Sequence, residues 1–387
     1  NLEKLRFVFE ILAFRSKMRK HFVLRIIFIE EPEAHTHPQM QYVFIKNIKE
    51  LLKQGILHKD GISRKLQYIV SSHSAHIVAD CDFNDIKYMV HSQKNGIFEK
   101  NSVIAKNMKD LQKEYEGDAE YKQYFAFLKQ YLTLNRSELF FADKAIFIEG
   151  DTERILLPAM MKMIDEEHEP EENENYLLSQ NVSIIEVGAY SHIFEKFMRF
   201  IGLRKCLIIT DLDCCKPVEK TDKNGRKTTK YEKAPYDATD DNMVTSNASI
   251  KSFLKISSIK DILSDVPVKL SWDDAAICWK RNNNGNLMIA FQYGKNGAYQ
   301  PRSFEDAFFS ENKEFITSNS FLSLDPECVE KFQEDNNPYE LAQNGVNGKS
   351  SLAIEILLHG NTETNPENGH WNIPNYIKEG LLWLRKD

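Results

Sequence analysis

No stretch of this sequence approaches the ~18 consecutive apolar residues that a membrane-spanning helix needs; the longest apolar run, near Ile26–Ile29, is the size of a strand. The start also lacks a basic segment followed by an apolar one and a small-residue cleavage site, so secretion is not expected. Cysteine is sparse: Cys81, Cys206, Cys214, Cys215, Cys278 and Cys328 are scattered, with no C-x-x-C pair and no metal-ligand spacing. That argues against a disulfide framework or a zinc site and predicts reduced thiols in a cytoplasmic protein. Nor is there an excess of positive charge. Lys and Arg number 50 against 57 Asp and Glu, a net −7, which excludes a generally basic nucleic-acid coat but not a local patch of phosphate contacts. The sequence carries no internal repeat and no long low-complexity tract.

What is present is the balance of a soluble globular protein, 42% apolar and 28% charged, and 387 residues predict two or three domains. The chain opens in mid-pattern, with Leu2, Leu5, Val8, Phe9 and Leu12 on one helical face, as expected of a piece of a longer protein. Residues 1–20 read as an amphipathic helix, 23–29 as a strand, 39–54 as a helix and 66–71 as a second strand. Both strands are continuous apolar runs, which suits a buried parallel sheet. Residues 86–90 and 96–104 read as a short strand pair, and 107–134 as a helical connector. Strand and helix then alternate: strands at 145–148, 183–187 and 206–210, helices at 152–165 and 192–201. This alternation predicts a second, doubly wound α/β domain. Residues 214–242 read as polar and poor in strands, and the remainder as mixed α+β.

The segment IIFIEEPEAHTHP, Ile26–Pro38, is an apolar strand ending in two acids. At the C-terminal edge of an α/β sheet, where ligands bind, Glu30 could hold the water shell of a Mg²⁺ and Glu31 could polarise an attacking water. Two solvated acids at a strand end are the plainer alternative. With IVSSHSAHI, Ile69–Ile77, some forty residues on, the E-P-E-A-H-x-H-P string resembles the Walker B, D-loop and switch-histidine region of ABC-type ATPases of the SMC and RecF kind. By that resemblance Glu30 is the Mg²⁺-side acid, Glu31 the catalytic base and His73 the sensor of the γ-phosphate. Glu30 stands where Asp is usual and Thr36 where Leu is favoured; His35, His37 and His76 are read as packing or capping residues. No G-x-x-x-x-G-K-[ST] occurs: Asn347-Gly348-Lys349-Ser350 has Gln343 where the first glycine belongs.

A second constellation begins with AIFIEGDTE, Ala145–Glu153: a strand, a turn and a helix start. Glu149 ends the strand, Gly150 permits close backbone approach, Asp151 and Thr152 can cap the helix, and Glu153 faces the same corner. CLIITDLDC, Cys206–Cys214, ends a second strand with Asp211 and Asp213, whose side chains are expected to share a face because strand periodicity is two. Carboxylates crowded at one sheet edge repel unless divalent cations neutralise them. Hard oxygens suit Mg²⁺ or Mn²⁺, and two such ions could clamp the attacking and leaving oxygens of a phosphodiester. Each motif alone could equally be a helix cap and a loop. Together, in this order, they resemble the topoisomerase–primase (Toprim) metal fold, with Cys215 where many of its members carry a third acid.

An ATPase Walker B region followed by a Toprim domain resembles the organisation of the OLD (overcoming lysogenization defect) family of nucleases. Val244–Asn247 resembles that family's T-S-N segment, Arg302–Phe308 its late acidic motif, and Gly348–Ala353 its C-terminal lysine motif. The resemblance implies that Glu149, Glu153, Asp211, Asp213 and Glu305 hold two Mg²⁺ or Mn²⁺ ions and that Lys349 stabilises charge on the scissile phosphate. An ordinary helix-start acid and a surface lysine are the alternatives for Glu305 and Lys349, and Glu186 is a further candidate for the cluster. Between Cys215 and Asp237, seven cationic residues (Lys216, Lys220, Lys223, Arg226, Lys227, Lys230, Lys233) stand against three acids, a local excess that could steer a phosphate backbone or simply be solvated.

The fold class expected is α/β: the C-terminal half of an ABC-type ATPase sheet over 1–106, a helical linker over 107–141, and a Toprim-type doubly wound domain with α+β additions over 142–387, carrying a basic insertion around 214–240. The implied protein is a cytoplasmic, metal-dependent DNA endonuclease, homodimeric or larger, that uses ATP in its full-length form and acts in bacterial or phage defence. The alternative is a DNA-binding regulatory ATPase subunit with a degenerate Toprim domain. Because no Walker A lysine loop is present, the 387-residue chain alone is expected to release no phosphate from saturating Mg·ATP above background. Robust turnover that Glu31→Gln abolishes would overturn that reading.

Overall fold

The computed structural model describes residues 26–34, 37, 41, 43, 46–48, 56–57, 63–64, 67–94, 97–117, 119–134, 136–171, 174–221, 227–294, 299–361 and 365–386. The helix expected over 1–20 lies outside them, as does most of the one expected over 39–54. The chain divides into two compact units, residues 1–141 and 142–387.

In the first unit, strands β1 (Ile26–Glu30) and β2 (Gln67–Ser71) pair in parallel, from Ile26 opposite Gln67 to Glu30 opposite Ser71. The expectation of a sheet buried on both faces is not met. Phe28 is 72% and Ile69 53% exposed, and among the described residues only two strands pair here. Helix α1 (Ala75–Ala79) follows, with the Ser74 hydroxyl accepting from the Ile77 N–H. Strands β3 (Lys87–Lys94) and β4 (Ile97–Asn107) form an antiparallel ladder longer than the pair read from sequence. Helices α2 (Met108–Glu114) and α3 (Ala119–Leu134) come next. Their Met108, Leu111 and Leu128 are fully buried, as are Phe83 and Leu139, and Phe83 meets the rings of Phe125 and Phe140.

The second unit is built on β5 (Lys144–Ile148), α4 (Asp151–Glu167), β6 (Val182–Glu186), α5 (Glu195–Ile201) and β7 (Lys205–Ile209). These fall within one or two residues of the expected alternation, save that the helix expected from 192 begins as a tighter 3₁₀ stretch over Gly188–Phe194. Residues 214–242, expected to be strand-poor, instead contain a hairpin of β8 (Cys214–Thr221) and β9 (Lys227–Lys233). Its alternating Lys, Thr, Val and Tyr suit a two-sided exposed ribbon better than a coil. Next come β10 (Val244–Thr245), α6 (Ala248–Leu254), α7 (Ile259–Leu263), β11 (Val268–Asp273), β12 (Cys278–Arg281) and β13 (Leu287–Ala290). The chain ends with α8 (Phe304–Glu311), α9 (Lys313–Ser318), α10 (Pro326–Asp335), α11 (Lys349–His359) and α12 (Asn375–Arg385).

Six strands form one sheet in the order β12-β11-β13-β7-β5-β6. The last four run parallel and β11 runs antiparallel to both of its neighbours, β12 and β13, giving a mixed α/β fold. β5, β7 and β13 are short unbroken apolar runs because strands in the middle of such a sheet are covered on both faces. Strand alternation sends Ile146, Ile148, Leu207, Ile209, Met288 and Ala290 to one face, in a single cluster with residues of α4, α8, α11 and α12. On the other face Phe147 packs against Phe194. The parallel strands all point their C-terminal ends to one edge; Glu186 lies at it, and residues 149, 210–213 and 291–292 follow directly from it.

Candidate active site

Glu149 is the first residue after β5. Its Oε1 accepts three hydrogen bonds: from the Thr210 hydroxyl, from the Asp211 N–H at 3.0 Å and from the Asn247 amide at 2.8 Å. Burial raises its pKa, the three donors oppose the rise, and the charge of Asp213 adds to it. Asp211, two residues beyond β7, accepts at Oδ1 from Gln292 Nε2 (2.7 Å) and the Phe304 N–H (2.9 Å). Burial, together with the charges of Glu149, Glu305, Glu153 and Asp213, lifts its carboxyl well above the usual range. Glu153 is buried in the first turn of α4, where its carboxylate accepts from the Gly150 N–H at 3.1 Å. Burial, with Glu305 and Glu149 adding charge, pushes it up to about 7. Glu305 is buried at the start of α8, with Lys349 Nζ 2.9 and 3.0 Å from its two oxygens.

Four acids from three stretches of chain therefore share one electrostatic corner, in which the negative charges of Glu149 and Glu305 oppose the charging of Glu153 and Asp211. Asp213 stands somewhat apart. β7 ends at Ile209, so strand alternation does not govern Asp211 and Asp213, as the sequence reading assumed. Asp213 sits in the left-handed backbone region (φ +51°), and its carboxylate is paired with the buried Arg302 at 2.7 Å. Gly348 precedes α11 and Lys349 is its first residue, with burial tending to lower its pKa and Glu305, Asp211 and Glu153 raising it overall. Asp151 and Thr152 are inside α4 rather than capping it. The cap is Gly150, closed by Glu153 reaching back, while Asp151 pairs with Arg154 and accepts from Ser350. Glu186 ends β6 and pairs with Arg154 at 3.1 Å.

By its chemistry the donor set fits a hard divalent cation: buried carboxylate oxygens with surplus like charge. Among the described residues, however, no three Asp, Glu, His or Cys side chains already form a ready ligand shell. Sequence reasoning missed Thr210, Gln292 and Tyr376. Gln292 is fully buried and bridges Asp211 to the Tyr376 hydroxyl at 3.0 Å. The signal for it was LMIAFQ, an apolar strand ending in one polar residue, like CLIIT before it. Asn247, quoted only as part of a motif, binds Glu149 directly and caps α6 through the Ile250 N–H.

In the first unit, Glu30 ends β1 opposite Ser71. Glu31 follows in the left-handed region (φ +38°), donating its N–H to the Ser71 carbonyl at 3.0 Å. His73 Nε2 lies 3.1 Å from Glu31 Oε1. Glu33, which the sequence reading passed over, accepts from the Ser72 hydroxyl at 2.8 Å and the His73 N–H at 2.5 Å. His35 and Thr36 lie outside the described residues.

Comparison with known proteins adds two family matches. Residues 5–78 match the model of an AAA ATPase domain, and residues 140–213 that of the overcoming lysogenization defect protein-like TOPRIM domain. The chain is 30% identical to Endonuclease GajA of Bacillus cereus (strain HuB5-5) over 394 residues, covering 97% of this chain and 49% of that protein. It thus spans about half the length of that relative. These matches bear out the OLD-family resemblance: an ATPase-type segment is followed by an OLD-like Toprim domain.

The raised carboxyl of Glu153 yields a signed prediction. Between its ordinary pKa of 4.5 and about 7, the folded chain holds a proton there that the unfolded chain has lost. Stability therefore falls as pH rises through that window. In chelator, Glu153→Gln keeps an acceptor for Gly150 and should flatten part of the fall, leaving the variant more stable above pH ~7 by up to about 3 kcal/mol. Urea melts at pH 5 and pH 8 measure this; equal pH dependence in both proteins would show that Glu153 is not held protonated.

Proposed function

We propose that this chain, an ATPase-type segment joined to an OLD-like Toprim domain, is part of a divalent-metal-dependent DNA endonuclease that hydrolyses phosphodiesters by a two-metal mechanism. The observation that carries the reading is the acid corner of Glu149, Glu153, Asp211 and Glu305, where burial and neighbouring negative charge raise the carboxyls of Glu153 and Asp211. The name of the relative, an endonuclease, points the same way.

Glu149, Glu153, Asp211, Glu305 and, once released from Arg302, Asp213 would hold Mg²⁺ or Mn²⁺. When bound, the ions would supply Lewis-acid stabilisation of the oxygens that gain charge. The chain's own contribution is orientation. Donors from Thr210, Asn247 and the Phe304 backbone fix the acids, and the Lys349 ammonium, aimed at the corner, favours a phosphate that accumulates charge in the transition state. Glu30, Glu31 and His73 would serve an ATPase head completed in the full-length protein. There ATP binding would gate the nuclease within a cytoplasmic homodimer or larger assembly acting in bacterial or phage defence. The β8–β9 hairpin, which starts at Cys214 beside Asp213 and exposes Lys216, Lys230 and Lys233, would hold the DNA backbone.

One observation favours the rival reading of a degenerate, non-cutting Toprim domain. Two of the five acids are already in ion pairs, Asp213 with Arg302 and Glu305 with Lys349. Plasmid cleavage with Mg²⁺, Mn²⁺ or Ca²⁺ separates the two readings. Glu149→Ala and Asp211→Ala are each expected to lower the cleavage rate by at least ~10³-fold while remaining folded. Lys349→Ala should cost ~10²-fold. Near-parent rates in the two acid variants would sink the metal assignment. Lys349→Ala cutting at the parent rate would return that residue to the surface.

A separate binding test addresses the hairpin. Replacing Lys216, Lys230 and Lys233 with Glu should weaken DNA binding and flatten its dependence on salt, because the slope follows the number of phosphates neutralised. An unchanged slope of log K against log salt would make the hairpin a solvated ribbon.

A further inference from the structure

The hydrogen bonds of the two central acids share a pattern. On Glu149 all three donors converge on Oε1, and on Asp211 both converge on Oδ1. Each acid thus has one oxygen saturated by the protein and a second, Oε2 or Oδ2, to offer elsewhere. For Asp211 the choice of oxygen is imposed by Gln292. The Leu212 N–H can only donate, and it lies 2.7 Å from the Gln292 carbonyl oxygen. That fixes which way the amide faces. The Nε2 group must then face the other way, and its two hydrogens go to Asp211 Oδ1 (2.7 Å) and the Tyr376 hydroxyl (3.0 Å). Gln292 is fully buried and Tyr376 nearly so. Its own carbonyl is held by Gln300 at 3.0 Å, and β13 just before it is in register with β7, Ala290 opposite Ile209. The amide is thus held on both sides, and through it one oxygen of Asp211.

We propose that Gln292, locked by Tyr376, is a positioning residue that holds Asp211 in one rotamer and presents only Oδ2 to a divalent cation. The inference rests on the metal-dependent reading above and extends it from the acids to a group that touches no ion. Partners behind a metal ligand set its orientation, and their loss typically costs 10–100-fold in metal affinity or activity. Once Gln292 is removed, Asp211 can rotate and share both oxygens among alternative orientations, so the cation meets a ligand that must first be ordered.

The test is a calorimetric titration of the whole chain with Mn²⁺, with thermal melts as the fold control. Gln292→Met should weaken Mn²⁺ binding by at least ~10-fold, and the Mn²⁺ concentration giving half-maximal cleavage should rise by a similar factor while the rate at saturating Mn²⁺ changes less. Tyr376→Phe, which loses only the hydroxyl behind the amide, should weaken binding several-fold and decides the matter if Gln292→Met does not fold. Asp211→Asn is the reference for outright loss of a ligand. Parent-like Mn²⁺ affinity in folded Gln292→Met, or in Tyr376→Phe if that is the only folded variant, would overturn the positioning role. Failure of the parent chain itself to bind Mn²⁺ would instead overturn the metal reading on which this one stands.

Discussion

Repulsion among carboxylates held at one sheet edge is the constraint around which the second unit is organised. Glu149, Glu153, Asp211 and Glu305 are each pushed against charging by burial or by their neighbours, or are held beside a cation. Such a corner is tolerable only if the rest of the fold compensates it. Compensation arrives from five separate places in the chain: the hydroxyl of Thr210, the amides of Asn247 and Gln292, the backbone at Phe304 and the ammonium of Lys349. The parallel sheet makes this convergence possible, since β5, β7 and β13 end at the same edge and the start of α8 is bonded to Asp211. Removing one donor leaves an acid both buried and under-satisfied, which costs more than the lost bond itself.

Much of this was legible in the sequence, for a definite reason. Strands covered on both faces are mostly apolar, so AIFI and CLII stand out, and the polar residue that breaks each run marks the functional edge. Glu149, Asp211 and Asp213 were found that way. β13 was passed over although LMIA is the same kind of run, because its flanks carry no repeated acid to draw attention. With it went Gln292, whose importance depends on a pairing with β7 that no local pattern reveals. Glu305 and Lys349 came from motif resemblance alone. They lie 44 residues apart and meet only because α8 and α11 belong to one apolar cluster.

The departures share a cause as well. Period-two reasoning failed for Asp211 and Asp213 because β7 stops at Ile209 and the chain turns through a left-handed residue at Asp213, where a buried arginine was available to take the charge. The hairpin of β8 and β9 was missed because lysine-rich sequence reads as coil, yet two exposed strands need no apolar face when backbone pairing and cross-strand ion pairs such as Lys220–Glu232 hold them. In the first unit, pairing of β1 with β2 brings Glu31 and His73 together from 42 positions apart.

Asn247 carries a consequence for which amino acids the position can accept. Its Oδ1 receives the Ile250 N–H and starts α6, while its Nδ2 donates to Glu149 and Thr210. Aspartate would keep the cap but set another negative group against Glu149. Serine or threonine would cap the helix with a side chain too short to reach the acid, and glutamine would reach the acid but overshoot the cap. Of the usual N-cap residues, only the short amide has an acceptor and a donor at the right spacing. The vocabulary of this position is therefore one letter, set jointly by a helix end and by an acid 98 residues away.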